Sequence, residues 1–160
     1  VRRYLDALTD ALVVRQLQPW MANVAKRQVR SPKIYVRDSG LLHQLLNLSD
    51  HHALLGHPKV GASWEGYVIE QLLMLDEVSD PYFWATHAGA EVDVFATVRG
   101  ERVGIEVKRT AQPRLTPSIR SALEDLDLDR VVVIHAGEHR FPLAEKVEAV
   151  PATEVLVSGF

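Results

Sequence analysis

Residues 89 to 109, GAEVDVFATVRGERVGIEVKR, constrain the fold more than any other part of the chain. Apolar and polar residues alternate on both sides of Arg99-Gly100, which is the pattern of a β-hairpin with one buried face. Two-residue loops are the favoured connection in tight hairpins, and glycine accepts the positive φ that such turns need. We therefore predict two antiparallel strands joined at Arg99-Gly100, in which the numbers of opposite residues add up to 199, as 99 and 100 do.

This register divides the hairpin into an apolar face and a polar face. The apolar face is predicted to hold Val92, Val94, Ala96, Val103, Ile105 and Val107. On the polar face Asp93 lies opposite Glu106, and two like charges at that separation are unfavourable unless a cation neutralises them. A divalent ion such as Mg²⁺ or Mn²⁺ would do so, with Lys108 beside it to hold a phosphate or polarise a water. The alternative is that Lys108 and Arg102 neutralise the acids as cross-strand ion pairs.

Segments of helical and strand-like pattern surround the hairpin. From residue 62 we predict the order α-β-β-β-α-β: a helix over 62–75 capped by Ser63, a strand after Pro81, the hairpin, a helix that begins at Pro117 after the N-cap Thr116, and a strand within 129–137, with a further strand near 147–150. Before it we predict a helix near the start, a strand that ends near Pro19, a strand over 34–36 and a helix near Leu41 capped by Asp38 or Ser39.

Charge and length suggest two unequal parts within the 160 residues. Residues 49–60 have the pattern of a loop or broken helix, and we place a boundary there. The first 40 residues sum to +5, and because the whole chain is −3 the remainder sums to −8. A basic front and an acidic body suit contact with nucleic acid at one end, although a solvated charged face is the alternative.

Several classes of protein are disfavoured by what the sequence lacks. No apolar run approaches the roughly 18 residues that a membrane span requires, and we predict no membrane contact. Without cysteine there are no disulfides, which fits a cytoplasmic protein. Residues 56–63 have the glycine spacing of a P-loop, but Ala62 replaces the phosphate-binding lysine, so we predict no ATP site. The chain begins with Val, which suggests a fragment.

The spacing D-x12-E-x-K, formed by Asp93, Glu106 and Lys108, resembles the PD-(D/E)xK nuclease superfamily. The resemblance implies an α/β protein with a restriction-endonuclease-like α-β-β-β-α-β core and a mixed sheet. Many members carry another acid on the preceding helix, where this chain has Glu65. We expect Glu70, which falls at a different angle of that helix, to be solvated. The chain departs from the superfamily pattern by having Val92 in place of proline before Asp93.

A closer resemblance covers nearly the whole chain. The segments KIYVRDSGLL, GAEVD and EVK follow the order KxYxxDxGLL, GxEVD and EVK of a C-terminal domain of unknown function that follows an AAA-type ATPase module in many bacterial and archaeal proteins. By this resemblance residues 1–48 are a helical, winged-helix-like remnant and residues 49–160 a nuclease-like α/β domain. The implied partners are nucleic acid, an AAA-type ATPase module in the full-length protein, and a second copy of the chain.

The resemblance also implies roles for particular residues. Asp93 and Glu106 would be metal ligands, joined by the Val107 carbonyl and by Glu65, and Lys108 would be the catalytic lysine. The implied cofactor is Mg²⁺ or Mn²⁺, and the implied activity is hydrolysis of a nucleic-acid phosphodiester. The alternative is a catalytically inactive nuclease-like module that binds nucleic acid or protein, or that mediates oligomerisation.

Overall fold

A computed structural model describes residues 2–160 as a six-stranded sheet and a two-stranded sheet with six helices. The helices are α1 (Arg2–Asp10), α2 (Ser39–Leu45), α3 (His51–Gly56), α4 (Val60–Leu72), α5 (Pro117–Asp125) and α6 (Ala152–Ser158). The strands are β1 (Val14–Leu17), β2 (Lys33–Val36), β3 (Val78–Ala85), β4 (Glu91–Val98), β5 (Glu101–Lys108), β6 (Arg130–His135), β7 (Phe141–Ala144) and β8 (Val147–Pro151). Among the same residues no helix combines the length and the apolar character that crossing a bilayer demands.

The large sheet is mixed, which confirms the predicted α/β class. Its strand order is β3-β4-β5-β6-β8-β7, and β1 pairs with β2 in a separate antiparallel hairpin. Strands β5, β6 and β8 run parallel at the centre, whereas β3, β4 and β7 join antiparallel toward the two edges. Helix α5 makes the crossover from β5 to β6, because parallel neighbours cannot be joined by a tight turn.

The central hairpin has the predicted turn and register. Arg99 and Gly100 both have positive φ, 51° and 88°, as a two-residue turn that matches strand twist requires. The paired register runs from Val98–Glu101 to Val94–Ile105. The numbers of every pair add up to 199, so this part of the prediction is confirmed.

A β-bulge alters the hairpin near Asp93. Strand β3 pairs Tyr82 with Phe95 and Trp84 with Val92, so β4 has one more residue than β3 between these pairs. A bulge of this kind reverses the faces of the residues beyond it. Val92 therefore packs on the side of α5, whereas Val94 packs on the side of α4. The prediction that Val92 and Val94 share one apolar face is wrong for this reason.

Two apolar layers lie on opposite faces of the large sheet. One contains α4 and α6 and is built around Val68, Ile69, Leu72, Val94, Ile105, Val132 and Val155. The other contains α5 and is built around Trp84, Val92, Phe95, Ile119, Leu126 and Val131. Every one of these side chains is almost completely removed from water, which makes the sheet the rigid support on which polar side chains at its ends are held.

The outer edge of β3 is covered by residues 18–29, which we call the strap. The amide of Phe83 donates to the Gln18 carbonyl at 3.0 Å, and the amide of Val29 donates to the Ala85 carbonyl at 2.9 Å. Between these points the Trp20 ring packs against Tyr82 and Phe95 at centroid distances of 5.1 and 5.0 Å. Coverage of this kind satisfies backbone groups that an exposed edge strand would leave unpaired.

The helix ends follow the predictions in two places and differ in a third. The Asp38 carboxylate accepts the amide of Leu41 at 2.7 Å, and the Thr116 hydroxyl accepts the amide of Ile119 at 3.3 Å, as expected of N-caps. Ser63, however, lies inside α4, which begins earlier than predicted. Its hydroxyl contacts the His43 ring at 2.7 Å, so its predicted capping role is wrong.

Glu70 is buried on α4, and the prediction that it is solvated is wrong. Its carboxylate receives both Arg15 from β1 and Arg37, just after β2, each with a shortest contact of 2.6 Å. Glu70 therefore joins the small sheet to α4. Burial acts to raise the pKa of Glu70, but the two guanidinium groups outweigh burial and hold it below its ordinary value.

Candidate functional site

The predicted acids Asp93 and Glu106 lie where the central hairpin stops pairing. The paired register ends at Val94–Ile105, so Asp93 and Glu106 are not the regular cross-strand pair that we predicted. Instead the Asp93 side chain accepts the backbone amide of Val107 at 3.0 Å. The bulge in β4 explains this arrangement, because it turns Asp93 toward the backbone of β5.

Glu106 is buried beside Asp93 with only one of its oxygens satisfied. Lys108 contacts Oε1 at 2.5 Å, whereas the buried Oε2 has no hydrogen-bond partner within residues 2–160. Burial, with a further contribution from the charge of Asp93, raises the pKa of Glu106 to about 7, against the opposing effect of Lys108. This carboxyl therefore has an unsatisfied oxygen that a cation or a proton can occupy.

Lys108 is placed to meet a molecule from outside. Its side chain is 44% exposed, although its ammonium contacts the buried Glu106. Burial acts to lower the pKa of Lys108, but the bond with Glu106 and the nearby acids outweigh burial, and the net shift is upward. Lys108 is therefore a protonated, accessible cation attached to the buried acid pair.

Lys33 enters the same site from β2 and was not predicted. Its ammonium contacts Asp93 at 3.0 Å and Glu65 at 3.7 Å, and it also makes a close contact with Glu91. Burial acts to lower the pKa of Lys33, but Asp93, Tyr35 and Glu91 together raise it. One ammonium group is thus surrounded by three carboxylates, and we call these four side chains the Lys33 cluster.

Tyr35, also on β2, fixes the position of Glu65. Its hydroxyl donates to Glu65 Oε1 at 2.8 Å. Burial and the charge of Asp93 raise the pKa of Glu65, against the opposing effects of Lys33 and of the Tyr35 hydroxyl. Glu65 therefore reaches the site from α4, where the sequence predicted an additional acid.

The motif KxYxxDxGLL was the signal that could have identified Lys33 and Tyr35. The motif carried the family resemblance, but its first two positions had no predicted role. Lys33 and Tyr35 are two residues apart, so on strand β2 their side chains point to the same face. That face meets Glu65 and Asp93, and the third motif position, Asp38, caps α2 instead.

The ligand atoms available at the site are of the chemical type that binds a hard cation. Carboxylate oxygens are the preferred ligands of Mg²⁺ and Mn²⁺, and the unpartnered Oε2 of Glu106 provides an available one. Within residues 2–160, however, no three His, Asp or Glu side chains converge as a formed ligand group. The ammonium of Lys33 lies between Glu65 and Asp93, so a metal held by both would have to displace it.

Comparison with protein families gives two adjoining matches. Residues 60–155, more than half of the chain, match the model of a domain of unknown function, DUF4143. The chain belongs to the DUF4143 family. Residues 1–52 match a second domain of unknown function, DUF8612. The DUF4143 segment contains Glu65, Asp93, Glu106 and Lys108, whereas Lys33 lies in the DUF8612 segment, so the site combines side chains from both matches.

Two longer proteins each contain a region similar to nearly the whole of this chain. Uncharacterised proteins of Mycobacterium tuberculosis and Mycobacterium bovis are each 56% identical over 158 residues, or 99% of this chain. The matched region is 36% of the length of each relative, so this chain spans little more than a third of them. No solved structure matches the DUF4143 chain.

Proposed function

We propose that this domain is a PD-(D/E)xK nuclease-like module that hydrolyses phosphodiester bonds of nucleic acid with Mg²⁺ or Mn²⁺. The observation that carries the proposal is the buried pair Asp93 and Glu106 next to the accessible Lys108, with one Glu106 oxygen unsatisfied. The order of α4, β3, β4, β5, α5 and β6 supports a restriction-endonuclease-like arrangement, because it repeats the α-β-β-β-α-β order of that core.

Each residue has a distinct part in the proposed chemistry. Asp93 and Glu106 would hold the cation, with Glu65 and the Val107 carbonyl as further ligands. A bound Mg²⁺ or Mn²⁺ supplies a Lewis acid that activates water and neutralises charge on the phosphate. Lys108 would contact the phosphate or orient the water, since its side chain is protonated and half exposed.

A second candidate function is an inactive module that binds nucleic acid or protein, or that forms oligomers. The Lys33 cluster favours it, because Lys33 already compensates Glu65, Glu91 and Asp93 without a metal. Both candidates place the domain beside an AAA-type ATPase module in a longer cytoplasmic protein. That part of the proposal rests on the resemblance of the sequence.

Calorimetric titration with Mn²⁺ separates the two candidates. We expect the wild type to bind Mn²⁺, Asp93→Asn to lose binding, and Lys108→Ala to keep binding but lose hydrolysis of oligonucleotides. The titration is repeated with a phosphorothioate oligonucleotide present, so that a phosphate ligand is available. Absence of binding by the wild type under both conditions would overturn the metal-dependent nuclease and leave the binding module.

A further inference from the structure

A concave surface of about 650 Å³ is formed largely by the segment that precedes β2 in the chain. Its lining comes from residues 21–31, which include most of the strap, and from His87 after β3. The polar side chains of this lining are Lys26, Arg27, Gln28, Arg30, Ser31 and His87. No acidic residue lines it within the part of the chain that the structure describes, so the surface suits an anion.

Two of its cations are available to a ligand. Lys26 is engaged by Asp125 at 2.6 Å and by Ser121 at 2.8 Å. Arg27 and Arg30, by contrast, are exposed and have no ion-pair partner among residues 2–160. Guanidinium groups match phosphate geometry with paired N–H donors, and exposed, unpaired ones keep those donors for a ligand.

The backbone that carries these arginines is fixed. Gln28, between them, is 9% exposed, and its amide donates to the Ala22 carbonyl at 2.7 Å. Its side-chain oxygen accepts from the Trp84 indole at 2.9 Å and from the Ala22 amide at 2.9 Å. The amide of His87 donates to the Arg27 carbonyl at 2.8 Å. Because these contacts already hold the loop in place, less conformational entropy is lost when a ligand binds to it.

The arginines are also close in sequence to Lys33, which contacts the acids. Arg30 precedes Lys33 by three residues, and three residues of extended chain span at most about 10 Å. Lys33 itself contacts Asp93 at 3.0 Å. A nucleic-acid strand has one phosphate per about 3.4 Å of helix axis, so the backbone of Lys33 lies at most about three nucleotides from Arg30 and, six residues away, about six from Arg27.

We propose that Arg27 and Arg30 form a groove that binds the phosphodiester backbone of nucleic acid, on the segment that leads directly to Lys33 at the acids. The inference rests on the proposed function and names the part of the substrate that the two arginines hold. The contacts are to phosphates, so they position the strand and are independent of base sequence.

Salt dependence of binding tests the groove. The affinity of the wild type, Arg27→Ala/Arg30→Ala and Arg27→Lys/Arg30→Lys for labelled duplex and single-stranded oligonucleotides is measured by fluorescence anisotropy with EDTA present, which prevents hydrolysis. Loss of two phosphate contacts reduces the slope of log K against log salt by about 1.8 on duplex and about 1.4 on a single strand. We expect the alanine variant to show this reduction and the lysine variant to keep most of the wild-type slope.

Arg2→Ala/Arg3→Ala is the matched control, because it removes the same charge from exposed positions on α1. We expect it to leave the slope unchanged. Equal slopes for the wild type and Arg27→Ala/Arg30→Ala would overturn the groove but not the proposed function. An equal reduction of the slope in Arg27→Ala/Arg30→Ala and in Arg2→Ala/Arg3→Ala would have the same meaning. Absence of oligonucleotide binding by the wild type at low salt would instead overturn the proposed function and the groove with it. Circular dichroism confirms that each variant is folded.

Discussion

At the scale of single residues, the position of Lys33 decides the charge balance of the site. Glu65, Glu91, Asp93 and Glu106 bring four acids to one end of the hairpin, and Lys108 contacts only Glu106. Lys33 contacts the other three. Like charges at these separations are costly in a partly buried site, so Lys33 stabilises the protein when no other cation is bound.

The same contacts predict that Lys33 competes with a divalent ion. We expect Lys33→Ala to bind Mn²⁺ about tenfold more tightly than the wild type, a difference of about 1.4 kcal/mol, because the competing ammonium is gone. Calorimetry measures this. Arg114→Ala, which removes one positive charge from an exposed loop, should bind like the wild type. Weaker binding by Lys33→Ala would mean that the lysine supports the metal site.

At the scale of secondary structure elements, Gly104 allows β5 to pack against the α5 layer. A Cβ atom at this position would lie 2.7 Å from Leu128 Cδ1 and 3.2 Å from Val131 Cγ2. Both neighbours are buried, so relief requires a shift in the core. We expect Gly104→Ala to lower the free energy of unfolding by about 1–3 kcal/mol, measured by urea denaturation.

Gly61 on α4 provides the control for that substitution. A Cβ atom there would meet nothing within 4 Å, and its φ is not positive. Alanine is favoured over glycine inside a helix, so Gly61→Ala should raise the free energy of unfolding by about 0.5–1 kcal/mol. A loss of stability in both variants would contradict the steric explanation for Gly104.

The attachment of the small sheet to α4 depends on Glu70. We expect Glu70→Gln to lower the free energy of unfolding at neutral pH by about 2–3 kcal/mol, because Arg15 and Arg37 lose their shared partner. The pKa of Glu70 is depressed in the folded protein. Its stabilisation is therefore complete above the ordinary carboxyl pKa and is lost as the pH falls through the folded value.

The wild type should accordingly lose more stability on acidification than Glu70→Gln does. Urea denaturation at a series of pH values, from neutral down to about pH 3, measures the difference between the two proteins. Parallel pH profiles would show that Glu70 does not carry this part of the acid sensitivity.

Features that depend on contacts between residues close in sequence could be predicted, whereas features that depend on contacts between distant residues could not. The hairpin turn at Arg99-Gly100 and the cap Thr116 depend on nearby residues and were predicted correctly, and Asp38 was one of the two caps predicted for α2. Glu70 was misassigned because its two guanidinium partners come from β1 and from the residue after β2, both more than thirty residues earlier in the chain. Lys33 was missed for the same reason, since its partner Asp93 is 60 residues away.

At the scale of the whole molecule, the N-terminal third is packed into the α/β core. The strap extends the large sheet beyond β3, Lys33 joins the acids, and the small sheet is held by Glu70. The boundary near 49–60 stays a prediction about domain organisation. Its two sides share buried contacts, which favours a single unfolding transition.

We expect the full chain to unfold in urea as one transition, with tryptophan fluorescence and circular dichroism coincident. Residues 49–160 alone should lack a cooperative transition, because the edge of β3 and the Trp20 contacts would be exposed. Residues 12–160 should keep it, since α1 contributes no buried side chain. Independent folding of residues 49–160 would show that the strap is not required for the α/β core to fold.

During synthesis, the strap can reach its final position only after β3 has been made. Its hydrogen-bond partners on β3 reach residue 85, whereas the strap itself ends at residue 29. At roughly 5–20 residues per second, several seconds separate the two on the ribosome. The strap therefore leaves the exit tunnel before its partners on β3 do, and a nascent chain that stalls before β3 is complete cannot form the hydrogen bonds between them.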